Sequence, residues 1–286
     1  METTQNYPLV TVGIPTYNRC SKLKIAIDSV LNQTYNNIEI IVFDNASVDD
    51  TELYCTSISQ INKNFKYFKQ DKNIGPMLNF SSTLKLNKGI YFIFLSDDDY
   101  FSNNYIFECV NFLNNYPDFS CVKGITKWHN TKQYFNTKNL ITSIESNSAI
   151  SRLMKYYKSP SKFSALYGLM RTTDLDKTRF ISSFPFDWYF ESSIVFLGKF
   201  ATLQNIIINR SADGVSSNTE NLFAQFNIKH KSQIKLFFIV SIVAAKEIFA
   251  NKNVYKNLNI LKKYFYTFLI FSVCFLITYF YINLEN

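Results

Sequence analysis

Apolar and polar positions switch between two periods along the first 125 residues. Residues 9–14 (LVTVGI) form a short apolar run, partly β-branched and ended by Pro15, which predicts a buried strand. Leu23, Ala26, Ile27, Val30 and Leu31 then recur at helical spacing, with Ser21 placed to cap that helix. Residues 38–43 (IEIIVF) and 65–68 predict two more strands, and Met77, Phe80 and Leu84 another helix. Residues 91–95 (YFIFL) predict a strand that ends on Ser96-Asp97-Asp98-Asp99; Ile106, Cys109, Val110 and Leu113 line a further helix. Such alternation predicts an α/β fold with a mostly parallel sheet flanked by helices on both faces. Sheets of this kind bind ligands at the carboxyl ends of their strands, so the residues after each strand carry the chemistry.

The pattern weakens after residue 125. Residues 126–165 are polar and irregular, with Trp128 and His129 near their start, and predict loops plus a helix around residues 150–157. Residues 184–200 (FPFDWYFESSIVFLGKF) predict a loop leading into a helix, and residues 234–249 an apolar helix. Residues 264–284 carry no charge and follow Lys262-Lys263. About 20 apolar residues suffice to span a bilayer, and the Tyr and Phe content suits an interfacial belt. A helix lying on the membrane, or packed on another subunit, remains open. Three regions result: 1–125, 126–225 and a helical hydrophobic extension at 226–286.

Composition narrows the classes. Hydrophobic residues make up 47% of the 286, which excludes a disordered chain. The net charge of +8 suits nucleic acid, anionic lipid or phosphate-bearing small molecules. The lysines are scattered, with no basic arm, which argues against nucleic acid. Cys20, Cys55, Cys109, Cys121 and Cys274 form no CxxC pair and are odd in number, so neither a disulfide framework nor a zinc site is expected. Residues 1–8 lack a basic stretch followed by an apolar run, so no signal peptide is expected.

Three polar clusters follow predicted strands: Pro15-Thr16-Tyr17-Asn18-Arg19, Asp44-Asn45-Ala46-Ser47, and Asp97-Asp98-Asp99. Adjacent carboxylates repel one another and are most easily held together by a cation. Carboxylates without His or Cys suit Mg²⁺ or Mn²⁺ bound together with substrate phosphate. A solvated turn capping the next helix would read the same way from spacing alone.

Taken together, VTVGIPTYNR (10–19), SVLNQTYNNIEIIVFDNASVDDT (29–51), DKNIG (71–75) and GIYFIFLSDDD (89–99) resemble the family-two glycosyltransferases of GT-A fold. The resemblance implies a Rossmann-like GT-A domain that inverts the anomeric centre and takes its sugar from a nucleotide-sugar donor. By position, Asp98 would bind the metal (Mn²⁺ or Mg²⁺) and Asp97 would contact the donor ribose or support the metal, with Asp99 beside them. Pro15, Thr16 and Tyr17 would wall the nucleotide base. Asn45 stands where many members carry a base-reading Asp, which leaves uracil, thymine and guanine open. Asp44 would be a structural acid or a nucleoside ligand. One-step displacement needs a carboxylate general base; the resemblance places it at Asp187, with Glu191 one helical turn on as the alternative. Many members carry a His near residues 209–216; this chain has none, leaving Arg210 for the phosphates or for a surface ion pair.

The implied acceptor is a glycan or lipid-linked glycan of a cell-surface polysaccharide (lipopolysaccharide, O-antigen or capsule), met at the cytoplasmic face of a bacterial inner membrane. The loop PTYN lacks the Gly-rich, basic character of sugar-phosphate nucleotidyltransferases, and no GxGxxG supports a dinucleotide oxidoreductase. A degenerate transferase serving as a membrane-bound assembly partner is the non-enzymatic alternative; Asp97, Asp98 and Asp187 speak against it.

Overall fold

In a computed structural model of the chain, residues 7–129, 143–158, 164–180, 186–212 and 233–284 are described. Strand β1 (Val10–Thr16) is buried along its whole length. It lies between β2 (Ile38–Asp44) and β4 (Tyr91–Phe94), parallel to both, and β3 (Phe65–Lys69) extends the sheet beyond β2, again parallel. The helices between these strands are α1 (Cys20–Leu31), α2 (Thr51–Ile61) and α3 (Pro76–Lys85). Gly13 lets α3 lie close to β1, since a Cβ there would stand 2.7 Å from the Phe92 ring and 2.8 Å from Thr83 Oγ1.

The sheet has eight strands in the order β3-β2-β1-β4-β7-β6-β8-β5. Its second half is built from β5 (Tyr100–Phe101), β6 (Phe119–His129), β7 (Leu169–Arg171) and β8 (Lys199–Ser211). β7 runs antiparallel to β4 and β6, β5 antiparallel to β8, and β6 parallel to β8. The sheet is therefore parallel where the sequence pattern is strongest and mixed beyond it. β6 continues through His129, so residues 126–129 are strand and not the expected loop.

Two cores follow from strand alternation. Val12, Ile40 and Ile93 face α1, α2 and α4 (Tyr105–Asn115) through Ile27, Cys55 and Ile106. Phe92, Phe94, Cys121 and Met170 face the other way, onto α5 (Ala149–Tyr157) and α7 (Phe186–Leu197). The one-turn helix α6 (Thr172–Leu175) adds Leu175 to that second core. Two more helices complete it, α8 (Gln233–Ala250) and α9 (Ile260–Leu284), through Val240, Ala244, Ile248 and Ile270. Arg179 fastens α8 by bonding Glu247 with both Nε and Nη2, the latter at 2.8 Å.

One helix start is corrected: Arg19, not Ser21, stands at the N-cap of α1, and Ser21 lies inside the helix. Among the described residues no helix is long and apolar enough to cross a membrane; Ile270 of α9 packs into the protein core.

Candidate donor site and catalytic helix

The candidate site forms where the pairing of β1 with β4 ends, at Gly13 and Phe94. Val10 and Thr16 bond toward β2, so the odd residues of β1 turn toward β4, as the Leu95 N–H on the Gly13 carbonyl shows. β4 ends at Phe94, so the missing N–H of Pro15 faces no strand and costs no ladder bond. Pro15 itself is buried, while Tyr17 is 44% exposed. Thr16 Oγ1 crosses the gap and donates to Asp97 Oδ2 at 2.8 Å.

The three acids that follow β4 have separate environments. Asp97 accepts from Thr16 and, at 3.4 Å, from Arg19 Nη1; burial pushes its pKa up to about 6 against the pull of Arg19. Asp99 is buried with both oxygens engaged, Oδ1 by the Ser211 N–H (2.9 Å) and Oδ2 by Arg210 Nε (3.3 Å). It is a strut that ties β8 to the acidic run. Asp98 accepts Arg19 Nη1 on Oδ2 at 2.8 Å, and its other oxygen takes no hydrogen bond among the described residues. Among those residues no group of three or more His, Cys, Asp or Glu is placed to hold a metal alone. A single open carboxylate fits Mg²⁺ or Mn²⁺ only as one ligand of a cation whose remaining ligands are phosphate and water. Asp98 would hold it.

Arg19 and Arg210 both bond the acidic run, partners that the sequence did not reveal. For Arg19 the available signal was a basic residue in one of three polar clusters that follow predicted strands. Arg210 lies between two rings, its Cζ 4.7 Å from the Trp128 centroid and 4.2 Å from that of Tyr167. It also donates to Ser164 Oγ at 3.2 Å, and the Tyr167 hydroxyl lies 2.9 Å from Ser96 Oγ. Of the two roles left open for Arg210, an exposed surface ion pair is excluded: its side chain is 13% exposed and that of its partner Asp99 3%.

Turns build the segment that follows β2. Asp44 is wholly buried and accepts the Tyr67 hydroxyl (2.6 Å) and the Ser47 N–H (2.9 Å). Asn45 donates to Asn73 Oδ1 at 2.9 Å and accepts the Ile74 N–H at 2.8 Å. The donation explains why an amide stands here: a carboxylate would face the Asn73 oxygen with no proton to give. Gly75, with φ +84°, then turns the chain into α3.

Asp187 lies in the first turn of α7, partly exposed. Burial raises its pKa, while the Trp188 N–H, its own N–H and Arg210 stabilise the charged form. Glu191, one turn on, is 2% exposed. Its Oε1 accepts the Leu166 N–H at 2.8 Å, and its Oε2 meets the Tyr156 hydroxyl at 3.0 Å. That hydroxyl also lies 3.0 Å from the Trp188 carbonyl. One phenol proton cannot serve two acceptors. The geometry closes when Glu191 is protonated and donates to the phenol oxygen, which in turn donates to Trp188. Burial first, and the Asp187 charge second, raise the Glu191 pKa in the same direction. Lys123, also 2% exposed, faces the same pocket, and burial with the Arg210 charge draws it down to about 8. Glu191 thus braces α7 against α5 and the turn at Ala165–Tyr167.

Glu191→Gln preserves that bonding pattern and is expected to leave turnover within a few fold. Its stability should also respond differently to pH. A carboxyl with a raised folded pKa contributes stability below its unfolded value of about 4.3, and loses it as pH rises toward the folded value. The melting temperature of the wild type should therefore fall relative to Glu191→Gln across that window. An unchanged difference would show that Glu191 is ionised in the folded protein.

His129 ends β6 with its ring 5.3 Å from that of Tyr100. Pro185, His230 and residues 213–216 lie outside the described residues.

The fold has counterparts in known proteins. An uncharacterized glycosyltransferase of Rickettsia bellii is 40% identical over 108 residues, 38% of this chain and 15% of that protein. The GalNAc(5)-diNAcBac-PP-undecaprenol beta-1,3-glucosyltransferase of Campylobacter jejuni is 38% identical over 93 residues, 32% of this chain and 30% of that protein. The chain thus matches less than a third of the length of either relative. Among solved structures, residues 1–349 of S. aureus TarS superpose with a TM-score of 0.66 at 18% identity, covering 93% of this chain and 72% of that one. The mannosyltransferase PcManGT of Pyrobaculum calidifontis, in complex with GDP-Man and Mn²⁺, gives 0.56 at 14% identity, covering 96% and 74%. At these identities the superpositions establish the fold, which is that of the GT-A transferases. The model of glycosyl transferase family 2 matches residues 11–179 of the 286, more than half of the sequence, and the chain belongs to that family.

Proposed function

We propose that this chain moves one sugar from a nucleotide-sugar donor onto a hydroxyl of a glycan or lipid-linked glycan, with inversion at the anomeric carbon, in the building of a bacterial surface polysaccharide. The observation that carries the reading is the acidic run after β4, where Asp98 keeps one oxygen open beside Arg19 and Asp99 is bonded by Arg210.

The donor diphosphate lies against Asp98, Arg19 and Arg210, with the base beside Tyr17 and the turn at Asn45. A divalent cation at Asp98, when bound, offsets charge on the departing diphosphate. Asp187 takes the acceptor proton as the acceptor oxygen forms its bond to C1, and the C1–O bond to the diphosphate breaks with its electron pair going to phosphate. The Arg210 guanidinium, held between two rings, keeps its donors in place before the charge develops. Two related proteins support the substrate classes. TarS has been crystallised with UDP-GlcNAc, and the Campylobacter jejuni relative acts, by its name, on an undecaprenol-linked glycan.

A thermal-shift series with UDP, GDP, dTDP, CDP and ADP, each with and without Mn²⁺, tests the donor half. Ligand at a hundred times its Kd stabilises the native state by about 2.7 kcal/mol. One base should therefore stand out by several degrees, and more so with Mn²⁺. If no nucleoside diphosphate shifts the transition and no nucleotide sugar is turned over, the reading fails.

A further inference from the structure

Helix α9 has two unlike faces. Ile270 is 1% exposed and packs, with Tyr266 and Val273, into the core shared with α5 and α8. On the opposite side stand Leu261 (75% exposed), Tyr264 (63%), Phe265 (54%) and Phe268 (67%). Their spacing of three and four residues places them in one stripe along the helix. No other stretch of the described chain exposes large apolar side chains in such a run. A contiguous stripe of this kind marks an interaction surface rather than scattered surface residues.

The charges around the stripe select its occupant. Between residues 250 and 284 the chain carries Lys252, Lys256, Lys262 and Lys263, and no Asp or Glu. Lys252, Lys256 and Lys262 are exposed. Lys263 turns back toward α8, its Nζ 6.0 Å from the Phe249 ring. An aromatic stripe rimmed by lysines without acids matches a surface that is apolar within and negative at its rim. A twofold copy of the same face would set these lysines against themselves, with no acid in the segment to pair them.

We infer that α9 lies on an anionic lipid surface, with Leu261, Tyr264, Phe265 and Phe268 entering the headgroup boundary and Lys252, Lys256 and Lys262 meeting the headgroups. This deepens the lipid-linked acceptor reading and rests on it for purpose only. α9 packs on α5, and α5 on α7, the helix that carries Asp187.

The test is co-sedimentation of the full chain with vesicles of pure phosphatidylcholine and of phosphatidylcholine with phosphatidylglycerol. Wild type should bind the mixed vesicles, with each exposed lysine changed to Gln weakening binding about fivefold. Leu261→Glu/Phe265→Glu/Phe268→Glu should abolish it while leaving the melting temperature unchanged, as all three positions are exposed. Wild type that ignores both vesicle types overturns the inference. So does a triple variant that still binds vesicles, or one whose only effect is to turn a dimer into a monomer, which would assign the stripe to a second copy. Vesicle binding needs no turnover. A chain that binds lipid but transfers no sugar would refute the transferase reading alone, and a soluble transferase would refute this inference alone.

Discussion

Asp187→Asn is expected to lower sugar transfer by about 10²–10⁴-fold, the usual contribution of a positioned general base, while leaving donor binding intact. The amide keeps the size of the carboxylate and its place at the start of α7, but it cannot take the acceptor proton. Asp98, Asp97 and Arg19 are untouched, so the nucleoside diphosphate that stabilises the wild type should shift the melting transition of the variant equally. The pH profile gives a second check. Burial raises the Asp187 pKa, with Arg210 and two N–H groups opposing it. The base works deprotonated, so the rate falls as pH drops through that raised value. The acid limb of kcat should therefore sit above the ordinary aspartate value of about 3.9. A limb at the ordinary value, or near-normal transfer by Asp187→Asn, would move the base elsewhere. Loss of both transfer and nucleotide stabilisation would show that the variant does not fold.

The first half of this fold was legible because its strands are local and buried. Residues 10–14, 38–43 and 91–94 announce themselves as apolar runs, and the helices between them keep a clean period. The second half was not, for reasons that can be named. β5 and β7 are two and three residues long, and they exist only through antiparallel partners far away in sequence. β6 contains Lys123, a buried charge that breaks an apolar pattern, and ends in Lys127-Trp128-His129, which read as loop. Their strand state is imposed by the ladder with β8.

The site divides in the same way. The acidic run and Asp187 could be singled out along the chain, yet their environments could not. Arg19 reaches Asp98 because β1 and β4 are neighbours in the sheet, an ordering that spacing does not contain. Glu191 looked like a rival base at the level of sequence, one turn from Asp187. Its partners Leu166 and Tyr156 come from other elements, and they turn it into a brace. The departure at Asn45 gains a physical reason from Asn73, a residue 28 positions away.

Asp98→Ala is the complementary experiment, expected to cost about 10²–10³-fold in transfer through loss of charge stabilisation on the leaving diphosphate. The effect should also appear without turnover. In the wild type Mn²⁺ should deepen the thermal shift given by the matching nucleoside diphosphate, and in Asp98→Ala that Mn²⁺-dependent part should vanish. Direct Mn²⁺ binding followed by electron paramagnetic resonance should weaken in parallel. Folding should survive, because among the described residues Asp98 is bonded only by Arg19, and Arg19 retains Asp97 at 3.4 Å as an alternative partner. Asp99→Ala is the control that separates cation binding from architecture. It leaves the open oxygen of Asp98 in place but strips Arg210 Nε and the Ser211 N–H of their acceptor, and an unpaired buried donor costs about 1–3 kcal/mol. Asp99→Ala should therefore lower the melting temperature and keep the Mn²⁺ effect, whereas Asp98→Ala should keep the melting temperature and lose it. If the two variants exchange these phenotypes, Asp99 is the metal ligand and Asp98 the strut. If Mn²⁺ has no effect on the wild type at any nucleotide concentration, the arginines at positions 19 and 210 neutralise the diphosphate unaided, and Asp98 serves to aim Arg19.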